Sequence, residues 1–230
     1  MIRCKSILAP YLHRICDICT MTLKDNESFW CTHCQQRFLH QGYCRCCGLP
    51  MPKIVSHCGA CLTQPPHWHR LYCLGDYQFP LSQEIQRIKY RRQFWRMPPL
   101  VELLAPRIDQ PAPLITSVPL HWRRRWQRGF NQSDLLARQL AQILPISYQP
   151  NLFSRVQATP YQRGLNRQQR LHNLSDAFRL NASPGSLPDH IAICDDVVTT
   201  GTTVEQLCQL LLDVEVKRID IYCLSRTAYD

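Results

Sequence analysis

The segment Ile193 to Thr203, ICDDVVTTGTT, combines carboxylates with residues that suit a phosphate group. Asp195 and Asp196 precede four threonines and Gly201, which together can offer hydroxyl and backbone donors to an anion. Two carboxylates beside a phosphate repel the ligand unless they accept hydrogen bonds from its hydroxyls or hold Mg²⁺. A sugar phosphate supplies both a phosphate and hydroxyls, so we predict a sugar-phosphate site. The alternative is a structural turn in which the threonines only cap a helix.

The elements around this segment are predicted to form a strand–helix–strand unit. His190 to Val197 is an apolar run of strand length, and apolar residues recur at helical spacing from Val204 to Leu212. Val216 to Leu224 follows as a second strand, whose second half alternates apolar residues with Asp220 and Tyr222. Such a unit belongs to a parallel sheet, and ligands bind at the carboxyl ends of its strands. The phosphate segment is expected at that edge.

Cysteines with metal-ligand spacing crowd the N-terminal part of the chain. Eleven of the fourteen cysteines precede residue 75, and eight of them form four C-x-x-C pairs. Each pair can present two thiolates to one ion, and two pairs complete a tetrahedral Cys4 site, so we predict two structural zinc ions. Neighbouring pairs sharing a metal is the simplest arrangement, although an interleaved pairing remains open. The predicted ligands are Cys16, Cys19, Cys31, Cys34, Cys44, Cys47, Cys58 and Cys61.

Four other residues of this region are alternative metal ligands, but they break the C-x-x-C spacing. They are Cys46, His33, His40 and His57.

Length and composition favour one ordinary domain with a small module before it. The chain has 230 residues, of which 45% are hydrophobic, and we divide it into a zinc module (1–66) and an α/β domain (67–230). The segment from Pro65 to Tyr72 is interpreted as the link. The sequence has no apolar run of about 18 residues and no signal-peptide pattern at its start. These features, together with metal-type cysteine spacing, favour the cytoplasm.

Further helices and a strand are predicted between the zinc module and the phosphate segment. Helical periodicity covers Leu81 to Tyr90, Leu100 to Leu104 and Asn131 to Leu144, and Leu114 to Leu120 has the composition of a strand. The apolar face of the third helix is expected to include Ile143.

A formal net charge of +10 suits a polyanionic partner. Trp122 and Trp126 are interleaved with arginines, which can neutralise diphosphate or nucleic-acid phosphates while tryptophan stacks on bases. The alternative is a solvated basic face with the tryptophans in the core, and helix capping is the alternative for Asn131 and Gln132. The predicted diphosphate or nucleic-acid contacts are Arg123, Arg124, Arg125, Arg128, Asn131, Gln132, Lys89, Arg163 and Arg170.

The segment ICDDVVTTGTT resembles the 5-phosphoribosyl-1-diphosphate (PRPP) loop of type I phosphoribosyltransferases. That resemblance implies an α/β fold of this class, a Rossmann-like parallel sheet with flanking helices. It further implies that Asp195 and Asp196, the candidate catalytic residues, hold the ribose hydroxyls, and that Mg²⁺ accompanies the diphosphate. The residues implied for the 5-phosphate are Thr199, Thr200, Gly201, Thr202 and Thr203.

Other segments resemble the ComF/GntX family of competence and DNA-utilization proteins. They are Val118 to Ala137 with its RGFNQ core, Tyr161 to Phe178, the IKYR of Ile88 to Arg91, and the double zinc ribbon. The VPL at Val118 also lies where phosphoribosyltransferases bind pyrophosphate.

This family resemblance implies a cytoplasmic role in natural transformation or in growth on DNA. It implies contacts with single-stranded DNA, or with a DNA-uptake helicase or a recombination-mediator protein; the lack of a long apolar run separately predicts no membrane insertion. Two other functions stay open: an active phosphoribosyltransferase with an unknown nitrogenous acceptor, and a non-catalytic sensor of PRPP or a nucleotide.

Overall fold

The computed structural model describes residues 14–39, 41–120, 129–155, 177–183 and 185–227. Within these ranges we call the cysteine-rich residues up to 66 the head and the α/β residues from 67 onwards the body. The longer helices are α3 (Leu81–Arg91), α4 (Met97–Leu104), α5 (Gln132–Ile143) and α6 (Thr202–Leu212), and the head carries α1 (Thr32–Gln36) and α2 (Gly59–Thr63). Single 3₁₀ turns, Phe94–Arg96 and Ala105–Arg107, flank α4.

Six of the eight strands in the described ranges form one parallel sheet. Its order is β1–β8–β7–β3–β4, and β2 also pairs with β8. The remaining two strands, β5 and β6, form a separate antiparallel pair. The strands are β1 (Arg70–Tyr72), β2 (Gly75–Asp76), β3 (Leu114–Ser117), β4 (Ser147–Tyr148), β5 (Phe153–Arg155), β6 (Phe178–Leu180), β7 (His190–Val198) and β8 (Arg218–Arg226).

The predicted β7–α6–β8 unit is confirmed and forms the centre of the sheet. Cys194 is in register with Tyr222 and Asp195 with Cys223, so the carboxyl ends of β7 and β8 lie side by side. This parallel α/β architecture, with cysteine clusters before it, agrees with the predicted fold class.

Both faces of the central strands are covered. Ile219, Ile221 and Cys223 pack with α6 in one hydrophobic cluster, whereas Tyr222 packs with α3, α4 and α5 in another. The alternation noticed in this strand therefore does not separate a buried face from an exposed one, since Asp220 and Tyr222 are both 0% exposed. Strands of a parallel sheet are buried on both faces, and the hydroxyl of Tyr222 is satisfied by donation from the backbone N–H of Ala112.

Two local expectations are wrong. Residues 70–72, interpreted as part of a link, form β1 and pair with β8, because an apolar stretch beside an open sheet edge completes that edge. Ile143 is 51% exposed rather than buried, since it is the last residue of α5, where the chain turns towards β4. The buried face of α5 instead combines Leu136, Ala137 and Leu140.

The head packs directly on the α/β body. Trp30 and Phe38 are buried in the same hydrophobic cluster as Met97 and Leu100 of α4. Asp17, inside the first C-x-x-C pair, forms ion pairs with Arg87 and Arg96, which also bind the buried Glu84 of α3. The first metal-type knuckle is thereby attached to the helix that carries Lys89.

Among the described residues, the helices are all too short or too polar to cross a lipid bilayer.

Candidate functional site

The eight predicted zinc ligands form two groups, each built from neighbouring C-x-x-C pairs. Cys16 and Cys19 join the second pair, Cys31 and Cys34, and the four later cysteines form the other group, with all sulfur atoms of a group within 4.8 Å of one another. The interleaved pairing is therefore excluded.

The sulfur spacing fits tetrahedral zinc. The Sγ–Sγ distances are 3.6 Å for Cys19 and Cys31 and 3.7 Å for Cys47 and Cys58. Zinc–sulfur bonds of about 2.3 Å in a tetrahedron require sulfur–sulfur separations of about 3.8 Å. Backbone N–H groups of Cys31 and Cys58 donate to the first sulfur of each group, Cys16 and Cys44, which is how a knuckle stabilises thiolates. Both groups therefore suit structural zinc.

Cys46 lies beside the second group without joining it. Its thiol is 3% exposed, and burial raises its pKa to about 11, so it stays protonated at neutral pH. Of the other alternative ligands, His33 and His57 are absent from the two groups in the described part of the chain, and His40 lies outside that part.

The predicted phosphate loop connects the carboxyl end of β7 to the N-terminus of α6. Gly201 stands at the turn with φ of +82°, a left-handed conformation that glycine adopts without strain. Thr200 and Thr202 are exposed, and their hydroxyls lie 2.9 Å apart. Residues 199–204, which include the first turn of α6, line one cavity, and a helix N-terminus with nearby hydroxyls is a favourable environment for a phosphate dianion.

The two acidic residues lie near the carboxyl end of β7 and have different partners. Ser133 donates its hydroxyl to Asp195 at 3.0 Å, and the backbone N–H of Asp196 donates to the same oxygen at 2.9 Å. Burial, and then the charge of Asp196, raise the pKa of Asp195 to about 7. Asp196 instead pairs with Lys89 of α3, with Nζ 3.0 Å from Oδ2.

These groups line one cavity of about 530 Å³ at the carboxyl edge of the sheet. Gln132, at the start of α5, is 1% exposed, and its Nε2 has no hydrogen-bond partner in the described structure. A buried amide without a partner costs free energy unless a ligand or water completes it. The pocket thus holds a donor that a ligand hydroxyl or phosphate oxygen can satisfy.

The structure brings most of the predicted site residues together. The cavity is lined by the two acids, the whole threonine loop, Lys89 and Gln132, and also by Val118 and Pro119. Asn131 is occupied within the chain: its Oδ1 accepts from the N–H of Ser133, and its Nδ2 donates to the carbonyl of Val118. The helix-capping alternative therefore describes Asn131. Outside the described residues lie Trp122, Arg123, Arg124, Arg125, Trp126, Arg128, Arg163 and Arg170.

Several residues around the loop escaped sequence reasoning. Tyr77, Tyr90 and Arg155 line the cavity, and Trp68 and Arg226 pack beneath the loop. The position of Arg226 could have been predicted from the sequence, because an arginine at the end of an apolar parallel strand lies at the same sheet edge as the phosphate loop. No sequence pattern predicts the position of Trp68, since that position depends on how the head packs on the sheet.

Comparison with known proteins finds one matching domain model and several relatives that match over nearly the whole chain. Residues 131–228 match the family model described as "Phosphoribosyl transferase domain". The chain is 38% identical to "Competence protein F" of Haemophilus influenzae over 221 residues, which cover 92% of this chain and 96% of the relative. It is 39% identical over 222 residues to "DNA utilization protein YhgH" of Salmonella typhi and 37% identical to the protein of that name in Escherichia coli K12, covering 93% of this chain and 97% of each relative.

Proposed function

Because the chain belongs to the ComF/GntX family of competence and DNA-utilization proteins, we propose that it acts in the uptake of DNA or in the use of DNA as a nutrient. It does so as a cytoplasmic protein whose pocket binds PRPP or a related phosphoribosyl ligand. The main support for this proposal is that one cavity is lined by the threonine loop, the acidic pair and the unpartnered amide of Gln132.

In this proposal the ligand's 5-phosphate lies on the loop of residues 199–203. The N-terminus of α6 and the threonine hydroxyls supply donors, and Gly201 permits close backbone approach. The ribose hydroxyls donate to Asp195 and Asp196, and the Gln132 amide donates to a ligand oxygen.

Mg²⁺ enters with the diphosphate as part of the ligand. The acidic pair is already engaged by Ser133 and Lys89, and in the described residues only the two cysteine groups bring three or more metal-ligand side chains together. We propose the two cysteine groups as the sites of two structural zinc ions.

The DNA role rests on charge and on the family. The net charge of +10 favours polyanions, and the arginines of residues 123–128 are interleaved with two tryptophans that can stack on bases. We propose that this segment contacts single-stranded DNA or a DNA-uptake helicase or recombination-mediator protein. Replacing Arg123, Arg124 and Arg125 by alanine should then weaken retention of single-stranded DNA and flatten its salt dependence. Salt-insensitive retention that the triple change leaves intact would place DNA contact elsewhere.

Calorimetric titration of PRPP with Mg²⁺ into the zinc-loaded chain tests the pocket. The native chain should bind, and a double variant, Asp195→Asn with Asp196→Asn, should lose at least tenfold in affinity. Asp213→Asn, the same change at the far end of α6, is the matched control and should bind like the native chain. Absence of binding by the native chain would reject the ligand and leave the loop as an inherited turn.

A turnover assay distinguishes a phosphoribosyltransferase from a protein that only binds PRPP. A transferase would form an oxocarbenium-like state stabilised by positioning and charge, and would release diphosphate from PRPP when given a purine, pyrimidine or quinolinate acceptor. Binding with no diphosphate release across these acceptors supports a sensor of PRPP or a nucleotide. Release with one of them identifies an enzyme and its acceptor.

A further inference from the structure

The second cysteine group touches the α/β body through two buried side chains. The indole Nε1–H of Trp68 donates to the carbonyl of Cys46 at 2.7 Å. The guanidinium Nε of Arg226 donates to the carbonyl of Cys47 at 3.1 Å. Both carbonyls belong to the knuckle of residues 44–47, whose ends are two of the metal-ligand cysteines. Trp68 is 6% exposed and Arg226 is 1% exposed, so water does not weaken these bonds.

The same two side chains also contact the phosphate loop and the residue before it. Arg226 also donates through Nη1 to the carbonyl of Val198, the residue directly before the loop, at 3.0 Å. The indole of Trp68 lies so close to Gly201 that a β-carbon there would come within 3.0 Å of its ring. Val198, just before the loop, and Gly201, within it, therefore contact residues that are hydrogen-bonded to the knuckle.

A third contact joins α6 to the segment that follows the second cysteine group. Glu205, in the first turn of α6, accepts from the backbone N–H of His67 at 3.2 Å and pairs with the His67 ring at 2.5 Å. This contact holds the N-terminal turn of the helix to the chain that leaves the second cysteine group.

From these contacts we infer that Trp68 and Arg226 are positioning residues, which fix the phosphate loop against the metal-held knuckle of residues 44–47. Metal in the second Cys4 group then sets how well the loop binds a phosphate. This statement rests on the proposed function only for the identity of the ligand.

The physical reason is preorganisation. Backbone donors bind a phosphate well only when they are held within a fraction of an ångström of their productive positions. A Cys4 knuckle is ordered by its metal, so removing the metal releases the two carbonyls that Trp68 and Arg226 bind. The first group differs, since its described knuckle contacts lead through Asp17 to α3 and not to the loop.

The experiment uses the full chain and two variants of conservative shape. Trp68→Phe keeps an aromatic ring but removes the donor to Cys46, and Arg226→Lys keeps the charge but lacks the geometry for two separate bonds. Trp95→Phe, at a residue 58% exposed, and Arg179→Lys, on the exposed face of β6, repeat the same chemical changes away from the loop. Circular dichroism and zinc content establish that each chain is folded.

The first measurement is amide hydrogen exchange of residues 198–203 without any ligand. Both positioning variants should exchange about five- to tenfold faster there than the native chain, and the controls should not. A chelator that strips zinc from the native chain provides a second test, which does not depend on the variants being folded. Once the second group has lost its metal, amide exchange of residues 198–203 should become faster by the same factor. Unchanged exchange after that zinc loss overturns the inference.

The second measurement is calorimetric titration of ribose 5-phosphate. Affinity should fall about five- to tenfold in both positioning variants and stay at the native value in both controls. If the loop loosens as expected but no chain binds ribose 5-phosphate, the inference stands and the proposed ligand fails. If the native chain binds and the positioning variants bind equally well, the ligand stands and the inference fails.

Discussion

The ammonium of Lys89 lies 3.0 Å from a carboxylate oxygen of Asp196, and each side chain is only 14% exposed. This pair joins α3 to the end of β7, and both residues line the pocket. Asp195, the neighbouring acid, is held by Ser133. With one acid shifted towards its neutral form and the other paired, the pocket carries little net negative charge, which lets an anionic ligand approach.

Removing the charge of Lys89 should weaken anion binding. Lys89→Met leaves Asp196 without its ion partner beside an incoming phosphate, so affinity for PRPP should fall about 10- to 100-fold by calorimetry. Lys89→Arg should retain most of the affinity. Lys217→Met, which breaks the exposed pair with Asp189, is the control and should bind normally. Equal affinity in Lys89→Met and Lys217→Met would show that the buried pair does not serve the ligand.

The raised pKa of Asp195 predicts a pH-dependent stability. A carboxyl with a folded pKa of about 7 stabilises the fold while protonated, and that contribution is lost as pH rises from the unfolded value near 4 through about 7. Asp195→Asn cannot ionise, so it should gain about 1–2 kcal/mol relative to the native chain between pH 5 and pH 8, after allowance for partial exposure. Urea denaturation at both pH values measures this. A difference that does not change with pH would mean that Asp195 titrates normally.

Local sequence signals were sufficient for the central unit and the metal ligands. The β7–α6–β8 unit follows from periodicity, and the phosphate loop follows from the order of acids, threonines and Gly201. The eight cysteines of the four C-x-x-C pairs do form two groups that could hold zinc, although spacing alone could not choose between neighbouring and interleaved pairing. These features depend on residues close together in the chain.

Contacts between distant segments could not be read in the same way. Ser133 and Asp195 are separated by 62 positions, and Arg226 reaches a carbonyl 179 positions away. Which residue meets which is decided by how α5 and the cysteine-rich head pack on the sheet, and no periodicity encodes that. The ion pair of Lys89 is another such contact: the sequence predicts that Lys89 contacts a phosphate, but it does not identify Asp196 as the partner of the ammonium.

The buried charge network under the first cysteine group predicts a large stability effect. Glu84 is 0% exposed and accepts from Arg87 at 2.8 Å and from Arg96 at 2.7 Å. Glu84→Gln removes the buried negative charge and leaves Arg87 and Arg96 to share Asp17, which should cost about 3 kcal/mol in free energy of unfolding. Glu102→Gln, the same change on the exposed side of α4, should cost less than about 0.5 kcal/mol. Urea denaturation that gave similar values for both variants would contradict the importance of the network.

Zinc content should distinguish a metal ligand from its immediate neighbour. Cys46 and Cys47 are adjacent and both buried, but only Cys47 has its sulfur in the second group. We expect two zinc ions per native chain and two in Cys46→Ser, because the Cys46 thiol stays protonated and outside the group. Cys47→Ser should retain one, since a site with three thiolates binds zinc much more weakly than a complete Cys4 site. Elemental analysis of the purified chains measures the ratio, and loss of zinc from Cys46→Ser with retention in Cys47→Ser would reverse the ligand assignment.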